Sequence, residues 1–188
     1  MTEQQPYEVL EQGDGFELRR YPAHVVAEVE LDGSFEDAGN RAFRALFRYI
    51  TGNNRSQRSV AMTAPVVQRA APSEKVAMTA PVVQTEGVEG GYVVAFVLPA
   101  SMTADTAPVP TDPHLRVRDV PERVAAAAGY SGRWTRSSYD RHLSDLLDAI
   151  VAAGFVPVGM PRFARFDPPF KPWFLRRNEV IQDVTQAS

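Results

Sequence analysis

Val60-Ala61-Met62-Thr63-Ala64-Pro65-Val66-Val67-Gln68 recurs letter for letter at Val76 to Gln84. The copies are offset by 16 residues, with Arg69 to Lys75 between them. Two short copies are too few for a solenoid array. Within the first copy, Val60, Met62, Ala64 and Val66 fall on one side and Ala61, Thr63, Pro65 and Val67 on the other. That is the period of a strand. The proline lacks a ladder donor, so each copy is expected at a sheet edge or ending in a bulge. The first copy is expected to take the ordinary place in the sheet, and the second to pair against it as an inserted hairpin arm.

The segment just before the repeat reads as a helix. Ser34-Phe35-Glu36-Asp37 has the spacing of a capping box, with Asp37 in place of Glu or Gln. Phe35, Ala38, Ala42, Phe43, Leu46, Phe47 and Ile50 follow a helical period. Arg41, Arg44 and Arg48 flank that stripe, and Gly52-Asn53-Asn54 stops the helix. Upstream, Tyr7 to Glu11, Phe16 to Tyr21 and His24 to Leu31 read as an antiparallel meander.

Downstream, Tyr92 to Leu98 is apolar throughout and is expected to be buried on both faces. Pro99 to Pro113 is a proline-rich loop. Leu115 to Val120 is a strand, and Arg123 to Tyr130 a weaker one, because alanine has no strong β preference. Ser137 or Ser138 is expected to open a second helix, with Tyr139, Leu143, Leu146, Leu147, Ile150 and Val151 on its apolar face and Gly154 as its stop. Phe155 to Phe166 is strand-like with breaks at Pro157 and Pro161. A rigid loop from Asp167 to Pro172 leads to a closing strand, Asn178 to Val184, and a frayed tail, 185–188. Strands, helix, strands therefore occurs twice. This predicts an α+β fold made of a duplicated unit: antiparallel strands that close or nearly close, with both helices packed outside.

The 188 residues suffice for one domain with a real core. Hydrophobic residues make up 44% and charged residues 23%, the balance of a soluble globular chain. A net charge of -3 gives no basic excess to attract nucleic acid. With no cysteine, thiolate chemistry and cysteine metal sites are excluded. The polar start is no secretory signal, and no apolar run approaches a membrane span, so a cytoplasmic protein is expected. No Gly-x-Ser-x-Gly, His-Glu-x-x-His or phosphate loop occurs, so binding is expected rather than catalysis.

Taken in order, these stretches resemble the SOUL haem-binding protein family. The resemblance rests on Tyr7-Glu8-Val9-Leu10, Glu17-Leu18-Arg19-Arg20-Tyr21-Pro22, the helix from Ser34-Phe35 to Gly52-Asn53, Met62-Thr63-Ala64-Pro65-Val66, Phe96-Val97-Leu98-Pro99, Pro108-Val109-Pro110 and Arg176-Arg177-Asn178-Glu179-Val180. It covers roughly 5–184, which is read as one domain. It implies a distorted antiparallel barrel of two similar halves with two helices outside. It also implies an apolar groove along the first helix that takes haem or another tetrapyrrole, for buffering, transport or sensing. The same fold is similar to GyrI-like domains, so a sensor or binding module for amphipathic small molecules, or for a protein partner, is the alternative.

By this resemblance Asn40, Phe43 and Arg48 line the groove, with Phe47 and Met62 on its walls and Lys171 as a second cation for propionates. Core packing competes equally for Leu46 and Phe47, since a helix must bury a stripe anyway. Arg44 is read as a solvated surface charge. Some relatives carry a histidine just before the tyrosine of the Arg-Arg-Tyr stretch; here Arg20 stands there, and arginine does not ligate iron. No protein ligand to iron is assigned to His24, His114 or His142. Glu179 is read as structural, bonded to a neighbouring segment rather than working as an acid or base.

Overall fold

The computed structural model describes residues 3–56, 73–87, 91–167 and 170–187. The first repeat copy, Met62 included, lies outside the described residues. The chain opens with β1 (Glu3–Gln4), β2 (Glu8–Gln12), β3 (Glu17–Tyr21) and β4 (His24–Leu31), followed by α1 (Phe35–Ile50) and β5 (Asn54–Arg55). β6 (Thr79–Ala80), β7 (Val82–Glu86), β8 (Tyr92–Val97) and β9 (Val109–Pro110) come next. The second half has β10 (Leu115–Val120), β11 (Arg123–Ser131), α2 (Arg136–Ala152), β12 (Phe155–Arg165) and β13 (Arg177–Gln186).

Nine of these strands form one antiparallel sheet in the order β10-β4-β8-β7-β12-β13-β11-β3-β2. The first half contributes β4, β8 and β7 on one side of the β7–β12 divide and β3 and β2 beyond it, and the second contributes β12, β13 and β11 with β10 beyond it, so the duplicated unit expected from the sequence is present. The meander breaks at Pro22. β3 crosses to pair with β11, β4 pairs with β10, and β10 to β11 repeats the crossing at Pro121. β3 and β4 lie far apart in the sheet order yet are joined by only Pro22 and Ala23. The sheet must therefore curl until its ends approach. It does not close: β10 and β2 remain its two edges, so the distorted barrel is an open curled sheet.

Both helices pack on the same face. α1 covers Val25, Ala27 and Val29 of β4 and Val94 and Phe96 of β8 with Ala42, Leu46, Tyr49 and Ile50. α2 covers Ala126, Phe163 and Val180 with Tyr139, Leu146 and Ile150. The other face is concave, lined by Val26, Ala95, Val97 and Val120 near one end and Tyr21, Ala125, Ala127 and Ile181 near the other. The alanine run of β11 is thus no weak strand. It pairs with β13 and β3 at once, and Ala125, Ala126 and Ala127 are buried because both faces of this strand are covered.

Helix starts follow cap chemistry. The Ser34 hydroxyl accepts the Asp37 N–H at 3.2 Å. In α2 the cap is Thr135, which accepts the Ser138 N–H, so the helix begins before the two serines expected to open it. The closing strand also outruns its expected end, pairing Thr185 with Val156 and Gln186 with Phe155.

The second repeat copy is not an inserted arm. The Val76 N–H bonds the Ile50 carbonyl at 2.8 Å, directly against the end of α1. β7, from the same copy, is an interior strand between β8 and β12. Pro81 falls between β6 and β7, after a cis Ala80–Pro81 bond, so its missing donor interrupts neither ladder. The chain flanking the first copy is joined across Asn54. Its amide donates to the Tyr49 and Glu74 carbonyls, each at 2.7 Å, and its side-chain oxygen accepts the Glu74 N–H at 2.8 Å.

Candidate ligand groove

The apolar stripe of α1 divides between two tasks. Ala38, Ala42, Leu46 and Tyr49 are buried in the core. Phe43 and Phe47 sit one step around the helix, stacked on each other at 5.8 Å between ring centroids. Phe43 also meets Phe96 edge-on at 5.6 Å, whereas Phe47 remains 44% exposed. These two rings, with Gly39, Asn40 and Arg44, form one wall of a cavity of about 670 Å³. Met78, Thr79, Ala80 and Val82 of the second repeat copy form the facing wall. Trp134, Arg165, Phe166, Asp167 and Phe170 complete it, Phe170 being 88% exposed. The volume and the apolar lining with few polar groups are those of a small-molecule site.

One cation lies deep in this cavity. Arg165, at the end of β12, is only 8% exposed. Its Nη2 donates to Gln84 Oε1 at 2.9 Å, and Gln84 Nε2 in turn donates to the Phe35 carbonyl at 2.9 Å. Its guanidinium lies 5.0 Å from the ring centroids of Trp134 and Phe163 and 5.7 Å from that of Phe35. Its Nε has no partner, and it pairs with no carboxylate among the described residues. Burial brings its pKa down to about 10, so it is still charged at neutral pH. Gly39 lies directly above. A Cβ there would come within 2.8 Å of Nη2 and 2.9 Å of Cζ, so helix and guanidinium approach this closely only with glycine.

The nearby carboxylates are already paired with other cations. Asp167 is the only carboxylate lining the groove among the described residues, and it accepts from Lys171 Nζ at 2.7 Å and from the Arg177 N–H at 2.6 Å. Glu179 is buried and holds Arg19 at 2.8 Å and Arg177 at 2.7 Å, the structural bond expected of it. On the concave face Arg162 and Arg123 share Asp183.

Asn40, Phe43 and Phe47 therefore come together, and Met78 stands where Met62 is expected, Met62 itself lying outside the described residues. Leu46 is core and Phe47 is groove. Arg48 is exposed and does not line the cavity. Arg44, one turn earlier on the same side of α1, is exposed, as its reading as a surface charge has it, and also lines the groove's wall. Lys171 lies next to Phe170 but spends its charge on Asp167. Arg165 escapes the sequence reading. Its signal is a cation in the alternation Phe163-Ala164-Arg165-Phe166, on the same strand face as buried Phe163. No histidine lines the groove: His24 faces the concave side, His142 stacks on Tyr130 at 3.8 Å, and His114 is exposed.

Fold and groove together define a two-module α+β domain with one open apolar groove along its first helix. The chain belongs to the SOUL heme-binding protein family, whose profile matches residues 2–183. It is similar to Heme-binding protein 1 of Xenopus tropicalis, 27% identical over 169 residues that cover 89% of this chain and 83% of that protein. Heme-binding protein 1 of Sus scrofa is 24% identical over 180 residues, covering 93% and 89% respectively. Among solved structures, the EcmrR C-terminal domain has a TM-score of 0.64 at 10% identity, covering 96% of this chain and 99% of that one. A hydrolase from Listeria innocua has a TM-score of 0.61 at 8% identity, covering 94% of each chain. SAV2435 bound to tetraphenylphosphonium has a TM-score of 0.51 at 9% identity, covering 90% of this chain and 93% of that one. At these identities the structures share the fold alone. No helix among the described residues is long and apolar enough to cross a membrane.

Proposed function

We propose that this protein binds haem or a related tetrapyrrole in the groove beside α1, as a carrier, buffer or sensor. The observation that carries this is an apolar slot of about 670 Å³, walled by Phe43 and Phe47 and containing a buried arginine, in a member of this family. A tetrapyrrole presents a flat apolar body and acidic side chains, and the slot offers aromatic faces and a cation. The relatives' name, Heme-binding protein 1, supports the same reading.

Asn40, Phe43 and Phe47 belong to the proposal as walls, with Met78 in the place expected for Met62. Arg48 and Lys171 belong to it as outer cations that draw an anionic ligand toward the groove. Residues 5–184 are taken as one ligand-binding domain, and a cytoplasmic location, which cell fractionation tests, completes the reading. Titration with hemin tests the function: a shifted Soret band and saturable quenching of Trp134, which lines the groove, are expected. A titration without either change sinks it. The second reading, a sensor of lipophilic cations, draws on the tetraphenylphosphonium bound to SAV2435. A buried arginine with no acid beside it argues against such a ligand here.

A further inference from the structure

Every other buried or half-buried arginine described in the nine-stranded sheet has an acid. Arg19 has Glu17 and Glu179, and Arg162 has Asp183. Arg165 has aromatic rings and one amide oxygen. A buried cation without a counter-charge is expensive, and chains generally pair it or remove it. This one is instead held in place. Gln84 fixes one end of the guanidinium, the Phe35 carbonyl orients Gln84, and Gly39 leaves room above. Asp167, the one carboxylate of the described groove lining, is already engaged by Lys171 and the Arg177 N–H, one on each oxygen.

We propose that Arg165 is an internal anion receptor: it takes a carboxylate of the groove's ligand at the Gly39 end of α1, so the site selects amphipathic acids and orients them acid-inward. This rests on reading the groove as the ligand site. A guanidinium presents a planar fork of donors that matches a carboxylate, and water exclusion by Trp134 and Phe163 strengthens the pair. The acid edge then lies at the opposite end of the groove from Arg48. Gly39 and Arg48 are separated by roughly 13 Å along the helix axis. The same charge repels lipophilic cations.

The test compares hemin with hemin dimethyl ester, which keeps the macrocycle and loses both acids. The wild-type chain is expected to bind hemin at least about tenfold more tightly than the ester, from one charge-assisted pair. Arg165→Gln should erase that preference by weakening hemin more than the ester, and Arg165→Lys should restore part of it. Arg48→Ala with Lys171→Ala should lower the acid-to-ester ratio less than Arg165→Gln does, because those two cations are exposed or partly exposed and screened. Equal affinities for acid and ester in the wild type, or an Arg165→Gln loss equal for both, would overturn the proposal and leave the groove reading standing. If Arg165→Gln does not fold, Gly39→Ala serves instead. It keeps the charge, pushes Cβ into the guanidinium, and should lower the acid-to-ester ratio; an unchanged ratio counts against Arg165. If the wild type binds neither hemin nor the ester, the tetrapyrrole reading falls and 8-anilinonaphthalene-1-sulfonate decides. Its fluorescence enhancement, lost in Arg165→Gln, supports the receptor, and an enhancement indifferent to Arg165, or none, refutes it.

Discussion

The two helices occupy equivalent places in a duplicated framework, yet they present different faces. Counting from the caps Ser34 and Thr135, Phe43 of α1 corresponds to Ser144 of α2, and Phe47 to Asp148. Leu46 corresponds to Leu147, and Tyr49 to Ile150, so the core-facing positions stay apolar in both. Ser144 and Asp148 are both exposed, polar residues on the outer side of their helix. The framework therefore does not require aromatic rings at these steps of a helix. Where α1 carries them, with Phe47 nearly half exposed, the rings serve something beyond folding. The aromatic residues on α2 and the strand before it are packed internally: Tyr139 meets Phe163 at 5.3 Å and Phe35 at 5.4 Å, and Tyr130 stacks on His142.

Adjacent residues of α1 give the largest test of this contrast. Leu46 is fully buried, so Leu46→Ala should cost about 2–5 kcal/mol through weaker packing and a residual cavity. Phe47→Ala next to it should cost less than about 1 kcal/mol, since the ring already touches water. Urea unfolding of the two variants measures the difference. A large loss for Phe47→Ala would place that ring in the core and dissolve the contrast.

How much of the molecule is legible in its sequence follows from what kind of information each feature needs. Strand period, helix caps and apolar stripes are local, and the elements and the duplicated unit are readable from them. The place of the repeat is not, because its two copies are identical and no local rule ranks them. The decision lies in bonds between segments distant in sequence, from Val76 to Ile50 and across Asn54. Leu46 and Phe47 are likewise balanced, because both lie within one broad helical stripe and only the sheet's position decides which is covered. Arg44 is hidden for a related reason: nothing near it in sequence reveals that the second repeat copy faces it across a cavity. Arg165 needs still more. Its strand face follows from alternation, but its lack of a carboxylate is a statement about every neighbouring element at once.

Exchanging the distinctive residues gives the next largest effect. Phe43→Ser with Phe47→Asp makes the groove face of α1 resemble that of α2. Each aromatic face removed from a bound apolar ligand is worth about 1–2 kcal/mol, so hemin affinity should fall roughly thirtyfold or more. The fold should survive, as judged by an unchanged far-ultraviolet circular dichroism spectrum. Unchanged affinity in a folded double variant would move the ligand site away from α1.

The smallest expected effect concerns the loop beside the groove, between β12 and β13. Burial would raise the Asp167 carboxyl pKa, but the Arg177 N–H and Lys171 outweigh it and hold the carboxyl below its ordinary value. A carboxylate depressed in the folded state contributes stability above its ordinary pKa and loses it as pH falls through the lower folded value. Acidification below about pH 4 should therefore loosen the turn at Trp173–Leu175 before the sheet unfolds. Trp173 fluorescence, followed against pH in a Trp134→Phe background, reports it, and Asp167→Asn should remove the transition. Lys171→Ala should cost no more than about 1 kcal/mol, because the ammonium is partly exposed and its pair with Asp167 is screened. An acid transition that persists in Asp167→Asn would assign it to another carboxylate, and Glu17, depressed by its bonds to Gln12 and Arg19, is the next to substitute.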